Sequence, residues 1–101
     1  MVDRIAWLHT TKLQYRQVVD YMFEHYSEQR VEHFNEELDR RLERLEKQPL
    51  SGRPSQIEGV RYVLLKKRWH LYYRLANATL YILFLWDTRR DPRKNPYRDL
   101  D

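Results

Sequence analysis

The chain has 101 residues, which is enough for one hydrophobic core and too few for two, so we expect residues 1–101 to form a single domain. It contains no cysteine, which excludes disulfides and thiolate chemistry and fits a reducing compartment, so we expect the protein in the cytoplasm. The net charge of +4 is uneven, because residues 1–50 hold eight Lys or Arg against ten Asp or Glu and residues 51–101 hold eleven against five. The basic second half favours a nucleic acid or an acidic protein as partner.

Neither the first ten residues nor the longest uncharged stretch carries a membrane signal. The first ten residues include Asp3 and Arg4 and contain no apolar run of signal-peptide length. The longest uncharged stretch, residues 75–86, is too short to span a bilayer. We therefore expect a soluble protein that does not interact with membranes.

The first half of the chain predicts one strand and two helices. Residues 4–8 form a short apolar segment typical of a strand, and Thr11 with Gln14 three residues later matches a capping box at a helix start. Ser27 is a candidate N-cap for a second helix that ends before Pro49. Each helix has apolar residues at spacings of three and four, which indicates two core-facing helices in an antiparallel hairpin. The two stripes are Tyr15, Val18, Val19, Met22 and Tyr26 in the first helix, and Val31, Phe34, Leu38, Leu42 and Leu45 in the second.

The second half predicts an antiparallel sheet. Residues 48–59 contain both glycines and Pro54 and indicate a loop. Residues 60–65, 69–75 and 80–86 are rich in β-branched, aromatic and aliphatic residues and are separated by short polar segments, which is typical of a three-stranded meander. The fold class is therefore α+β, with the helical hairpin packed on one face of the sheet and the other face available. We expect residues 87–101 to form a basic C-terminal tail.

One strand divides into a polar and an apolar face. Trp69, Leu71, Tyr73 and Leu75 alternate with His70, Tyr72 and Arg74, so the first set should lie under the helices. A two-residue turn before this strand would place Arg61 on the face of His70, Tyr72 and Arg74, and a three-residue turn would reverse that assignment. Arginine, histidine and tyrosine on one open face can bind phosphate and cleave a phosphodiester. The alternative is that these residues are ordinary solvent-facing sheet residues.

The remaining basic residues of the second half are candidates for contacts with a nucleic acid or a protein partner. For the tail residues, the alternative is that they only solubilise the chain. Tyr97 alone indicates a surface anchor rather than a catalytic group. The candidate partner-binding residues are Lys66, Lys67, Arg68, Arg74, Arg90, Arg93 and Lys94.

The sequence gives no support to a metal ion, a nucleotide cofactor or a serine nucleophile. The four histidines lack metal-ligand spacing, and the three serines lie in cap or loop contexts. Two glycines, Gly52 and Gly59, cannot form a phosphate-binding glycine pattern. We expect no cofactor.

Together these features resemble the RelE/ParE toxin superfamily over about nine tenths of the chain. The resemblance rests on the strand and helical hairpin, the loop Leu-Ser-Gly-Arg-Pro-Ser, the Gly-Val-Arg opening at Gly59, the Leu-Tyr-Tyr-Arg segment at Leu71, and the ending Trp-Asp-Thr-Arg-Arg-Asp-Pro. It implies a toxin of a bacterial type II toxin–antitoxin pair, neutralised by a cognate antitoxin whose acidic segment folds onto the basic half.

The resemblance offers two branches with different targets. In the RNA-cutting, RelE-like branch, the toxin is a metal-independent endoribonuclease acting on mRNA in the ribosome, and the matching positions here are Arg61, His70, Arg89 and Tyr97. This chain departs from that pattern at Val63, where a lysine is usual, and at His70, where an arginine is usual. The ParE-like branch acts on DNA gyrase without a reaction of its own, and the long helical hairpin favours it. We therefore expect a gyrase-directed toxin. The alternatives are an RNA endonuclease and a non-toxic module that binds nucleic acid or protein.

Overall fold

The computed structural model describes residues 2–97, which form five strands, two α-helices and a short 3₁₀ helix. In chain order these elements are β1 (Arg4–Trp7), α1 (His9–His25), α2 (Glu28–Lys47), β2 (Arg53–Pro54), β3 (Val60–Leu65), β4 (Trp69–Ala76), β5 (Thr79–Asp87) and the 3₁₀ helix (Pro92–Lys94). The predicted strand, hairpin and meander are confirmed, and β2 is an additional strand inside the predicted loop.

The five strands form one mixed sheet in the order β1-β5-β4-β3-β2. β1 runs parallel to β5, and the other neighbours are antiparallel. As the apolar sequence of β5 predicts, this strand lies inside the sheet. The α+β class is therefore confirmed. Among the described residues, no helix is long and apolar enough to cross a membrane.

The helices bury the predicted stripes against one face of the sheet. In α2, Val31, Phe34, Leu38 and Leu45 are all at most 5% exposed, and they pack against Leu71, Tyr73, Leu80 and Ile82 from the sheet. The Ser27 side chain accepts a hydrogen bond from the Arg30 amide at 3.2 Å, which confirms the predicted N-cap. In α1 only Met22 of the predicted stripe is fully buried, and Tyr26 is exposed at the helix end.

The predicted capping box at the start of α1 is wrong. The helix begins at His9, and its N-cap Leu8 offers no side-chain acceptor. Thr11 is buried and its hydroxyl donates to the Ile82 carbonyl at 3.2 Å, while the Gln14 side-chain oxygen accepts from the Leu85 amide at 2.8 Å. The Ile82 carbonyl also accepts from the Leu8 amide at 3.1 Å, so Thr11 adds a second donor there, whereas Gln14 supplies a partner for the Leu85 amide beyond the end of β1.

The register of β3 against β4 decides which face of the sheet Arg61 occupies. Three residues separate the paired Leu65 and Trp69, and the first two, Lys66 and Lys67, have positive φ of 50° and 56°. Arg61 therefore lies opposite Tyr73 and shares its helix-side face. Of the two turn lengths that the sequence left open, the structure has the three-residue one, so Arg61 does not share a face with His70, Tyr72 and Arg74.

The other face of the sheet, which we call the far face, has a small core of its own. Val60, Tyr72 and Trp86 are buried there, and Tyr97 packs against them. The Asn95 side chain donates to the Tyr72 hydroxyl at 2.9 Å, and the Tyr97 ring stacks on the Tyr72 ring at 4.8 Å. The start of the predicted tail therefore covers part of a face that we expected to be available.

Candidate functional site

Arg61, the first candidate of the RNA-cutting pattern, holds the loop that precedes β3. Its guanidinium donates to the Gly52 carbonyl at 2.8 Å. The same loop is fixed by Tyr73, whose hydroxyl accepts from the Gly52 amide at 3.0 Å and donates to the Pro49 carbonyl at 2.8 Å. Burial raises the pKa of the Tyr73 hydroxyl, although the Gly52 amide acts against that shift. Arg61 and Tyr73 thus form an anchor for the loop.

His70 and Tyr97 both lie on the far face, and each contacts the Tyr72 ring. The His70 ring stacks on the Tyr62 ring with centroids 4.5 Å apart, and its centroid is 6.1 Å from that of Tyr72. Tyr97 stacks on Tyr72. The two candidates therefore belong to one group of aromatic rings and share Tyr72 as a neighbour.

Arg89 lies just beyond the end of β5, next to the last residue of the strand. Its Nε is 3.9 Å from Asp87 Oδ1, its amide donates to the same oxygen at 3.0 Å, and its side chain is 60% exposed. The four candidate positions are thus divided among the helix-side face, the far face and the end of β5. The structure does not bring them together into one site.

The structure does bring together several cations at the end of the sheet where β5 finishes. Arg68 is central, because its guanidinium contacts Asp87 at 2.9 Å, donates to the Tyr26 hydroxyl at 3.3 Å and covers the Trp69 ring at 4.6 Å. Burial acts to raise the pKa of Asp87, but hydrogen bonds from Arg68 and the Arg89 amide outweigh it and hold that pKa below its usual value. The Arg68–Asp87 pair therefore joins the β3–β4 turn to the end of β5.

Other basic side chains surround this pair. Arg90 lies over the Trp86 ring at 5.0 Å, and Lys66 and Lys67 are exposed in the β3–β4 turn. A cavity of about 400 Å³ separates the arginines after β5 from α1, and Gln14, Gln17 and Tyr21 line its helix side. We call the following residues the sheet-end cluster: Lys66, Lys67, Arg68, Asp87, Arg89 and Arg90. It contains five cations and one acid.

The remaining predicted partner-binding residues lie elsewhere. Arg74 is exposed on β4 and pairs with Tyr81, five residues along the strand from Trp69. Arg93 forms an exposed ion pair with Asp91 at 2.9 Å in the 3₁₀ segment, which also holds Lys94. These three cations do not extend the sheet-end cluster.

Sequence reasoning missed the contribution of the helical hairpin to this end of the molecule. The Arg30 guanidinium lies over the Tyr26 ring at 4.6 Å, and Tyr26 in turn contacts Arg68. The hydrogen bond from Arg68 lowers the pKa of the Tyr26 hydroxyl, with help from the charges of Arg68 and Arg89. Since Tyr26 and Arg68 are 42 positions apart, no local pattern could have indicated the contact. Within residues 2–97, no group of three or more His, Asp or Glu side chains is placed to hold a metal ion.

Comparison with known proteins identifies the family. Residues 5–92 match the family model of the ParE toxin of the parDE type II toxin–antitoxin system. A solved structure of the chromosomal ParDE toxin–antitoxin system from P. aeruginosa has a chain with the same fold, with a TM-score of 0.71 and 17% sequence identity over 86% of this chain and 96% of that one. Among curated proteins, no sequence matches. Because the family model covers most of the chain, this protein belongs to the ParE toxin family of type II toxin–antitoxin systems.

Proposed function

We propose that this chain arrests bacterial growth by acting on DNA gyrase in the cytoplasm, and that a cognate antitoxin protein neutralises it. The observation that carries the proposal is the separation of the four positions that match the RNA-cutting pattern. Arg61 donates to the Gly52 carbonyl, Tyr97 stacks on Tyr72, and Arg89 lies beyond β5 beside Asp87. A toxin that acts by binding its target needs a binding surface, but it does not need catalytic residues assembled in one site.

Phosphodiester cleavage demands a closer arrangement than this one. A general base must reach the proton that it removes at about 2.6–3.2 Å, and a cation must face the charge that develops on the phosphate. On the far face, His70 and Tyr97 each pack against the Tyr72 ring, and the arginine expected beside them faces the helices instead. This geometry favours the gyrase-directed branch of the superfamily.

The sheet-end cluster is the surface that best suits a macromolecular partner. Its five cations exceed the nearby acids, Asp87 and the Glu37 carboxylate that binds the Lys66 amide, and the resulting positive potential accelerates the approach of DNA-bound or acidic targets. An antitoxin rich in acidic residues would be attracted to the same surface. If such a pair is carried on a plasmid, cells that lose the plasmid also lose the source of the antitoxin. The pair would therefore stabilise the plasmid in the population.

Induced expression in a bacterial host tests the proposal. We expect growth arrest with loss of DNA supercoiling before any fall in translation, and we expect co-expression of the antitoxin to restore growth. The matched control is Arg40→Glu, a charge change on the exposed outer face of α2, which should arrest growth like the wild type.

A second candidate, RNA cleavage, is supported by one observation, the position of both His70 and Tyr97 next to Tyr72. Arrest through loss of translation that His70→Ala and Tyr97→Phe each abolish would contradict the gyrase proposal and favour this candidate. Absence of any arrest would favour a non-toxic binding module.

A further inference from the structure

A pocket of about 280 Å³ lies where the helical hairpin meets the β3–β4 turn. Its walls come from the end of α1, the first turns of α2 and the turn itself. We call it the hairpin-end pocket. It opens beside Arg68, on the α2 side of the sheet-end cluster.

The floor of the hairpin-end pocket is apolar and its rim is basic. Met22, Phe34 and Trp69 form the floor and are each at most 4% exposed. Arg30, Lys66 and Arg68 stand at the rim, and no acidic residue is among the lining residues. A ligand that fits must therefore combine an apolar group with a negative charge.

The rim cations differ in what they already contact. The Arg68 guanidinium forms an ion pair with the Asp87 carboxylate at 2.9 Å, so its charge is largely neutralised and its side chain mainly lines the pocket. Arg30 and Lys66 are exposed, and the stacking of Arg30 on Tyr26 orients its guanidinium at the opening. The Glu37 carboxylate accepts from the Lys66 amide and so fixes the turn that carries this lysine. Arg30 and Lys66 are thus positioned to receive a carboxylate.

The aromatic rings of the pocket argue against a nucleic acid strand. Single-stranded nucleic acids bind by stacking bases on exposed ring faces. Here the guanidinium of Arg68 covers Trp69 at 4.6 Å, and that of Arg30 covers Tyr26 at 4.6 Å. The space that remains is a cavity over Met22 and the buried ring edges, which suits an aliphatic side chain.

We propose that the hairpin-end pocket binds an acidic peptide segment of the antitoxin, with an apolar side chain over Met22 and Trp69 and a neighbouring carboxylate between Arg30 and Lys66. The antitoxin as partner rests on the proposed function. The pocket's chemistry does not depend on the target being gyrase.

The test measures direct binding of the purified full chain, without gyrase or growth as a readout. The probes are synthetic 15-residue peptides that tile the protein encoded by the neighbouring gene, and the competitor probe is a single-stranded oligonucleotide. We expect one or more acidic peptides with an apolar residue to bind. Because two cations at the rim of one pocket become anions, we expect Arg30→Glu with Lys66→Glu to weaken that binding by about tenfold or more. Neutralisation by Arg30→Gln with Lys66→Gln should give a smaller loss.

The matched control is Arg40→Glu with Lys47→Glu, the same charge change on exposed positions of α2 away from the pocket, which should change binding less than about twofold. Circular dichroism confirms that all three double variants are folded. Equal losses in the pocket and control variants would show a diffuse charge effect and overturn the inference. Absence of peptide binding, or oligonucleotide binding that depends on Arg30 and Lys66, would also overturn it. None of these outcomes bears on supercoiling, which tests the proposed function separately.

Discussion

Tyr73→Phe removes a single oxygen atom that fixes the loop before β3. Tyr73 is 1% exposed, and its hydroxyl joins the Gly52 amide at 3.0 Å to the Pro49 carbonyl at 2.8 Å. Because burial raises its pKa, the hydroxyl remains protonated at neutral pH and keeps donating to Pro49. The substitution keeps the ring in the core and leaves both backbone groups without this partner.

The expected loss of stability follows from the Gly52 amide and the Pro49 carbonyl. Leaving a buried donor or acceptor unpaired costs about 1–3 kcal/mol, and Gly52 is buried while Pro49 is only partly so, which gives about 2–3 kcal/mol in the free energy of unfolding. For a chain of this length, that loss lowers Tm by about 10–20 °C. Urea and thermal unfolding followed by circular dichroism measure both quantities.

A control separates the hydroxyl from the ring. Tyr62→Phe removes the hydroxyl from a half-buried tyrosine that contributes by stacking on His70, and it should change stability by less than about 0.5 kcal/mol. Hydrogen exchange of the Gly52 amide should accelerate in Tyr73→Phe and stay unchanged in the control. If Tyr73→Phe is as stable as the wild type, the loop is not held by this hydroxyl and the reasoning fails.

Three further predictions concern stability. The folded-state pKa of Asp87 is depressed, so its ion pair with Arg68 stabilises the fold above the unfolded pKa of about 3.9. That stabilisation is lost as pH falls through the lower folded pKa. Asp87→Asn should therefore flatten the decline in Tm below about pH 4, and an unchanged decline would contradict this. Gly52→Ala should destabilise far more than Gly59→Ala, because a Cβ at Gly52 would lie 2.9 Å from a backbone oxygen. At Gly59 the nearest atom would be Arg74 Nε at an ordinary contact distance of 3.8 Å, and only the positive φ of 82° opposes the change; equal unfolding midpoints in urea would refute this. Ser27→Ala should cost about 1 kcal/mol in urea unfolding through loss of the α2 N-cap, and an unchanged midpoint would show that the cap is not needed.

Much of the fold followed from local patterns. The alternation over residues 69–75 matched β4 to within one residue, and the apolar spacing of α2 identified its four buried residues. Both patterns depend on which face of an element is buried, and the spacing of apolar residues within one short segment indicates that face. Ser27 could be predicted for the same reason, since its cap bond to Arg30 spans three residues.

The register of the sheet could not be predicted in the same way. The face of Arg61 depends on whether two or three residues join β3 to β4, and here Lys66 and Lys67 adopt positive φ without the glycine or asparagine that usually marks such a turn. At Thr11 and Gln14, a local pattern was present but the predicted capping box did not form. Their spacing satisfied a local motif, but both side chains bind backbone groups of β5 instead, Thr11 at the Ile82 carbonyl and Gln14 at the Leu85 amide.

The candidate site depends on contacts between distant segments. Arg68 and Asp87 are 19 positions apart, and the Tyr72–Asn95 hydrogen bond that covers the far face spans 23. The sequence indicated that the second half is basic, yet only the fold shows which cations share a surface. Arg68 and Arg90 join the sheet-end cluster, whereas Arg74 and Arg93 do not.

The central claim is tested most directly by adding the purified chain to purified DNA gyrase with relaxed plasmid DNA and ATP, and by adding it in parallel to programmed ribosomes. If the chain acts on gyrase, the gyrase reaction should lose supercoiling activity or accumulate cleaved plasmid, and the antitoxin should suppress that effect. The mRNA on the ribosomes should remain intact. Cleaved mRNA together with unimpaired supercoiling would contradict it.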